Sequence, residues 1–217
     1  RLNKRRLLLG TLLPLTLGAI GWGVADAQSL PSGGAVVSGQ ASISSPGGNG
    51  VTINQSSQKA IIDWKDFSVG DGKTVQFNNG SGATLNRVTG GNVSSIDGLV
   101  SATGSVYLIN PNGVIVGQKG VVNVGGTFVG STLDIGNDAF NGDGAKTFIG
   151  ASNASVVNMG RVGALGGNVV LMAANVSNQG SISAPNGTAS LVAGNGVVMQ
   201  DGESDGNFLI GTGGSHT

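Results

Sequence analysis

Cysteine is absent from all 217 residues, and histidine occurs once, at His216. Without thiols there is no disulfide framework, so the chain is held by packing and hydrogen bonding. A zinc site of ordinary design needs several Cys or His ligands. A nucleophile–histidine hydrolase needs a histidine beside its nucleophile. Neither has its parts here, and no cofactor is expected. Charge is equally scarce: Asp, Glu, Lys and Arg together make up 10% of the chain. Four of the 11 basic residues, Arg1, Lys4, Arg5 and Arg6, stand at the front, leaving seven against ten acidic residues beyond Ala27. The body is mildly acidic and has no cluster of Lys or Arg. That excludes the counterion-releasing stripe on which nucleic-acid binding rests.

In place of charge there is glycine, 41 residues of it, with abundant Ser, Thr and Asn. The glycines follow no every-third pattern, so collagen is excluded. Short runs of Val, Ile and Leu are too frequent for a disordered chain. Strong helix formers do not cluster beyond the first segment. The coarse class is all-β.

The first segment, RLNKRRLLLGTLLPLTLGAIGWGVADA, has a basic front, an apolar stretch from Leu7 to about Ile20, and small residues at Ala25 and Ala27. This is the layout of a signal peptide, 1–27, with cleavage expected after Ala27. The apolar stretch is short of the roughly 20 residues of a membrane span. The chain opens on Arg1, and its true start is expected upstream.

The second half repeats with a period of twenty. Asn158, Gly160, Val162, Ala164, Gly167, Leu171 and Ala173 return as Asn178, Gly180, Ile182, Ala184, Gly187, Leu191 and Ala193. Each repeat holds short alternating runs separated by Gly, Asn or Pro, and such runs mark strands with one buried face. A run that short cannot bury its own apolar side. Coiling the chain so that equivalent strands stack in parallel solves this, with one rung per repeat. Val162 is expected to stack on Ile182 and Leu171 on Leu191 inside the coil, with Asn158 over Asn178 at a turn. A β-sandwich, the other all-β solution, requires no such period. Between Val36 and Val100 the pattern is looser but strand-like. Solenoid ends are open edges that need covering, so residues from about Leu30 to Ile43 are expected to form a cap. Gly136 to Lys146 breaks the repeat and reads as an excursion from the coil. Residues 28–200 are thus the β-helix, and 201–217 read as a polar tail belonging to a longer exoprotein.

Candidate chemistry is thin. Asp63 with Asp66, or Asp138 with Asp143, are the carboxylate pairs a glycan-cleaving enzyme would use, and turn-forming aspartates explain them equally well. Val69-Gly70-Asp71-Gly72-Lys73 lacks phosphate-loop spacing and signals a tight turn. Asp201-Gly202 and Asp205-Gly206 lack the repeated calcium pattern GGxGxD. The sharpest local signal is Asn110-Pro111-Asn112-Gly113. Its proline fixes φ and its Asn-Gly tolerates positive φ, so it should turn the chain between two strands. Arg87 is either an exposed partner contact or one half of an internal ion pair.

With those residues in view, a family resemblance emerges. Phe67–Phe77 (FSVGDGKTVQF), Leu85–Gly91 (LNRVTGG), Val106–Gly117 (VYLINPNGVIVG) and Val122–Ile135 (VNVGGTFVGSTLDI), together with the 158–193 repeats, resemble the filamentous-haemagglutinin-type N-terminal secretion domain of two-partner secretion exoproteins. The resemblance covers about Leu30 to Met199. It implies a single-stranded right-handed parallel β-helix with an N-terminal cap and small extra-helical elements. It also implies export from a Gram-negative bacterium through the periplasm. The general export machinery would read the signal, and an outer-membrane β-barrel transporter with periplasmic recognition domains would be the partner. Asn110, Pro111, Asn112 and Gly113 match the family's turn that supports folding and secretion. The earlier asparagine-proline-asparagine-leucine motif of many members does not occur. Regions downstream in such proteins act as adhesins, haemagglutinins, haemolysins or toxins and supply any host-cell receptor contact. Two other functions stay open at this stage. One is an adhesin module binding glycan or host protein directly, for which Trp64 and Tyr107 are the aromatic candidates. The other is a β-helical glycan-active enzyme.

Overall fold

The computed structural model describes residues 29–201 and 208–212. The expected signal peptide, His216 and most of the expected tail lie outside them. In chain order the strands are β1 (Ala35–Ser38), β2 (Ala41–Ser44), β3 (Gly50–Gln55), β4 (Lys59–Trp64), β5 (Thr74–Asn78), β6 (Ala83–Val88) and β7 (Ser94–Ile96). Then come β8 (Leu99–Ala102), β9 (Ser105–Ile109), β10 (Val114–Val116), β11 (Val121–Val124) and β12 (Phe128–Ser131). A short helix α1 (Asn137–Asn141) and β13 (Lys146–Ile149) interrupt the series. It resumes with β14 (Ser155–Asn158), β15 (Arg161–Ala164), β16 (Val169–Ala173), β17 (Asn175–Asn178), β18 (Ser181–Ser183) and β19 (Ala189–Ala193), and closes with β20 (Gly196–Asp201) and β21 (Phe208–Thr212).

The fold is a parallel β-helix with three faces. Sheet 1 runs β1-β4-β6-β9-β12-β16-β19, sheet 2 runs β7-β10-β14-β17, and sheet 3 runs β2-β3-β5-β8-β11-β15-β18. Within the coil every pairing is parallel; Lys59–Trp64 lies against Ala83–Val88, and Val169–Ala173 against Ala189–Ala193. Only the first strand of sheets 1 and 3 is antiparallel, β1 on β4 and β2 on β3. These two form the cap, within the expected Leu30–Ile43 region and one residue beyond it. Strands laid this way close the first rung, whose edge would otherwise offer unpaired backbone groups.

Inside the coil, alternate residues of each strand meet. Val51, Ile53, Ile62, Trp64, Val75, Phe77, Leu108, Val122, Phe128, Val162 and Leu171 belong to one continuous core. Trp64 and Phe67 pack edge to face with centroids 5.6 Å apart, and Phe67 stacks on Phe77 at 6.5 Å, geometries that suit the aromatic quadrupole. The expected stacking of Val162 on Ile182 and of Leu171 on Leu191 is the observed register. Leu171 is buried, but Leu191 is 46% exposed, which corrects its assignment to the core. The cause is position: Leu191 lies on the last rung of sheet 1, and no described strand stacks beyond it.

A second core lies outside the coil. Ile61, Leu85, Val129 and Val170 point outward from sheet 1 and pack with Phe140, Phe148, Val197 and Met199. Those covering residues come from α1, β13 and β20. β13, β20 and β21 form a small antiparallel sheet of their own. Gly196–Asp201, expected as the end of the coil, and Phe208–Thr212, expected within the polar tail, are paired strands of this small sheet.

Candidate functional site

The turn at Asn110 to Gly113 joins β9 to β10. Gly113 N–H donates to the Asn110 carbonyl at 2.9 Å, closing a β-turn. The Asn110 side chain reinforces it by accepting Asn112 N–H at 2.9 Å, the aspartate–asparagine type of turn that such residues favour. Gly113 has φ +116°, a region that disfavours a β-carbon. Asn112 has no positive φ, so only the glycine meets that conformational demand.

Burial divides the four residues. Asn110 is fully buried, Pro111 is exposed, and Asn112 is half-buried. The Asn110 amide donates to the Asn92 carbonyl at 2.9 Å and to Ser94 Oγ at 2.9 Å. Its oxygen also accepts the Asn112 amide at 3.1 Å. Asn112 reaches on to the Gly90 carbonyl at 2.8 Å. The turn is thus pinned to the 90–92 turn of the rung before it. Ser152 donates to the Pro111 carbonyl from the strand approach that follows. Two asparagines tie this corner to the one before it, and Ser152 ties it to the one that follows. A buried amide with every donor and acceptor used is costly to replace, because each orphaned partner keeps its desolvation penalty.

The stretch Leu85 to Gly91 acts in the same region. Alternation sends Leu85 outward to the second core and Asn86 inward, where Asn86 Oδ1 accepts the buried Trp64 Nε1–H at 3.0 Å. Arg87 points outward beside Asp63 of the neighbouring strand. Its Nε donates to both Asp134 oxygens at 2.9 and 3.0 Å, its Nη1 to Asp63 at 3.4 Å and Asn137 at 3.0 Å, and its Nη2 to the Ile135 carbonyl at 2.7 Å. Its side chain keeps 16% of its exposure. Of the two readings of Arg87, the geometry supports the internal ion pair, and the pair anchors the excursion to sheet 1. Gly90 allows a close approach: a β-carbon there would lie 2.0 Å from the Lys65 carbonyl oxygen. Asn158 donates to Asn178 Oδ1 at 2.7 Å across two rungs and holds Gly160 N–H at 3.1 Å. Asn86 is the residue that sequence reasoning missed; a polar residue at an inward position of an alternating run was its signal.

The aromatic candidates and the Asp63–Asp66 pair do not assemble. Trp64 is 1% exposed inside the coil. Tyr107 lies beneath Phe140 at 5.3 Å and Phe148 at 6.4 Å. Neither belongs to an exposed aromatic stripe. Asp63 faces Arg87 while Asp66 accepts from Asn92 at 3.1 Å, so the first carboxylate pair is split between different partners. Asp143 lies 3.0 Å from Lys59, whose ammonium hydrogen bond and charge hold that carboxyl below the usual range. Asp66, Asp71 and Asp97 line a groove of about 830 Å³ with Asn92 and Lys119. Asp71 is matched by Lys119, whose pKa it raises by hydrogen bond and charge, and Asp97 by Ser95 at 2.8 Å. Among the described residues, no group of three His, Cys, Asp or Glu is arranged to hold a metal ion. Gly70 and Lys73 close the expected tight turn at 3.0 Å, with Gly72 at φ +73°.

The chain is thus a capped β-helix with an extra-helical cover and an asparagine-pinned turn. The family model described as "TPS secretion domain" matches residues 27–215. The chain belongs to that family. Among solved structures, the HMW1 secretion domain from Haemophilus influenzae is 36% identical with a TM-score of 0.72, over 83% of this chain and 48% of that one. A heme/hemopexin-binding protein of Haemophilus influenzae strain Rd is 40% identical over 171 residues, which is 75% of this chain and 19% of that protein. A second protein of that name from the same species is 42% identical over 113 residues, 51% of this chain and 12% of that protein. The chain thus spans under a fifth of the length of these curated relatives. As a TPS secretion domain it serves secretion targeting in two-partner secretion, a system in which the exoprotein has an outer-membrane transporter as partner. Its relatives are exported to the surface or secreted by Gram-negative bacteria, and the family and its structural neighbour are secretion domains rather than enzymes.

Proposed function

We propose that residues 28–200 are the segment an outer-membrane β-barrel transporter recognises through its periplasmic domains, and that they fold outside the cell rung by rung. The signal at 1–27 delivers the chain to the periplasm by the general export machinery. The observation that carries this reading is the order of sheet 1, where β4, β6, β9, β12, β16 and β19 lie side by side in the order the chain supplies them. Each rung finds its template already in place, so folding can advance along the axis without waiting for distant chain. The cap starts the series by closing the first edge. In this reading Asn110 and Asn112 serve the fold, and Pro111 is the part of the turn available to a partner. Heme or hemopexin binding, named for the relatives, and any host-cell contact belong to the remaining length of such exoproteins.

The test is secretion of this domain from bacteria with and without the cognate barrel protein encoded beside the full-length gene. Release into the medium only with the barrel supports the reading. Retention in the periplasm despite a functional cognate barrel overturns it. An unchanged export rate after the rungs are prevented from folding would remove the folding component alone.

A further inference from the structure

The cover over sheet 1 is built from segments far apart in the chain, and it reaches back to the beginning. The excursion leaves the coil after β12, yet its helix docks on the first rung. Asn141 donates to Ser38 of β1 at 3.0 Å, across 103 residues. Lys59, the first residue of β4, donates to the Asn141 carbonyl at 2.9 Å, the Gly142 carbonyl at 2.7 Å and Asp143 at 3.0 Å. Phe140 fills the row formed by Ile61, Leu85 and Tyr107. Arg87 holds the near end of the excursion through Asp134, Asn137 and the Ile135 carbonyl.

The far end depends on later chain. Among the described residues β13 pairs along its length only with β20, in the register Lys146–Met199 to Ile149–Gly196, with a single bridge from Ile149 to Asp134 at its end, and β20 in turn pairs with β21. Gly150 N–H donates to the Asn195 carbonyl at 3.1 Å. Val197 and Met199 complete the same apolar layer as Phe140 and Phe148. A helix of five residues has no stability of its own in water, so the excursion stays in place through these contacts. Before β20 arrives, β13 lacks the strand that pairs along its length, and the apolar layer lacks Val197 and Met199.

We infer that the excursion is a strap that fastens the N-terminal cap only when β20 has joined it. The cap strand β1, the segment 134–150 and β20 then open and close as one cooperative unit, distinct from the rungs. Regions of one protein open in separate units of differing free energy, and here the unit links the beginning of the domain to its end. Its consequence for export rests on the reading above: the apolar outer row of sheet 1 remains uncovered while residues beyond 195 are still within the transporter, and closure marks the domain as complete. The coupling itself needs no transporter.

Native-state hydrogen exchange of the purified domain, read by mass spectrometry, tests it. Met199→Ala thins the cover at β20, far along the chain from the cap. The expected result is exchange faster by about tenfold or more in both 134–150 and 32–38, with 114–116 and 121–124 unchanged. Lys59→Met, a milder change at the other end of the strap, should speed exchange in the same two segments by less. Faster exchange in 134–150 alone, with 32–38 unchanged in both variants, would overturn the coupling. So would a uniform rise across all rungs, since it would show that no separate unit exists. Either failure leaves the secretion assay untouched, so the two readings fail separately.

Discussion

Sheets 1 and 3 wind through the same rungs, have seven strands each, and differ in what covers their outer face. In sheet 3 the outward positions Thr52, Gln76, Ser101 and Asn123 stand in one register row, and the strands alternate between buried and accessible residues. In sheet 1 the corresponding row is Ile61, Leu85, Tyr107, Val129 and Val170, and β16 (VVLMA) is buried throughout. A parallel sheet covered on both faces reads as a continuous apolar run, and one covered on a single face alternates. The lesson is that solenoid strands of equal length carry their neighbours in their periodicity. KAIIDW and VVLMA already record the presence of a second layer, although nothing in them names it.

The comparison can be broken most directly at Val129 and Asn123. Val129→Asp puts an unpaired charge into the second core and should destabilise by about 4 kcal/mol or more, or abolish folding. Asn123→Asp, on the bare face of sheet 3, should stay within about 0.5 kcal/mol. Urea unfolding of both variants checks this, and equal effects would mean that sheet 1 has no functional cover in solution. Next in size is a pair within one register row. Leu171→Ala should cost about 3 kcal/mol through the cavity it leaves, and Leu191→Ala under about 1 kcal/mol because the last rung is open.

Asn110→Ala should cost about 2–3 kcal/mol by orphaning Asn112 N–H, Ser94 Oγ and the Asn92 carbonyl. Pro111→Ala should leave stability nearly unchanged. If secretion falls in the first variant in proportion to stability and in the second without any loss of stability, the turn divides into a structural half and a partner-facing half. The smallest effect belongs to Asp143. Its folded pKa is depressed by Lys59, so its contribution is present above the unfolded pKa and lost as pH falls through the folded value. Asp143→Asn should therefore lower the unfolding midpoint slightly at neutral pH. The difference should vanish at acid pH where the carboxyl is protonated, and shrink at high salt, because Asp143 is fully exposed.

Legibility in the sequence followed the range of the interaction. The rung register Val162–Ile182 and Leu171–Leu191, and the stacking of Asn158 over Asn178, were written as a period of twenty because each rung contacts its neighbour at a fixed offset. The Asn110 to Gly113 turn was legible for a similar reason, since proline and glycine constrain φ locally. Its anchoring to Gly90 and Asn92 was not, because that depends on which corner lies beneath. Arg87 remained ambiguous until Asp63 and Asp134 were seen on either side of it; the second lies 47 residues away with no periodic signal. The burial of Trp64, and the placing of Tyr107 under Phe140, likewise came from layers that composition does not describe.

The sequence by itself determined that this is a coil of short parallel rungs. Absent disulfides, scarce charge, abundant glycine and a fixed repeat leave stacking as the way to bury the apolar face of each strand. Its family motifs, read together, carried the secretion role. Only the tertiary structure decided that one of the three faces bears a second core, that the excursion after β12 reaches back to Ser38 and Lys59, and that the expected tail returns as strands of the cover. The contacts that reach back to Lys59 and Ser38 join residues 82 and 103 positions apart, at no regular interval. Such pairings depend on where the coil brings its surface, and that exists only once the rungs are stacked.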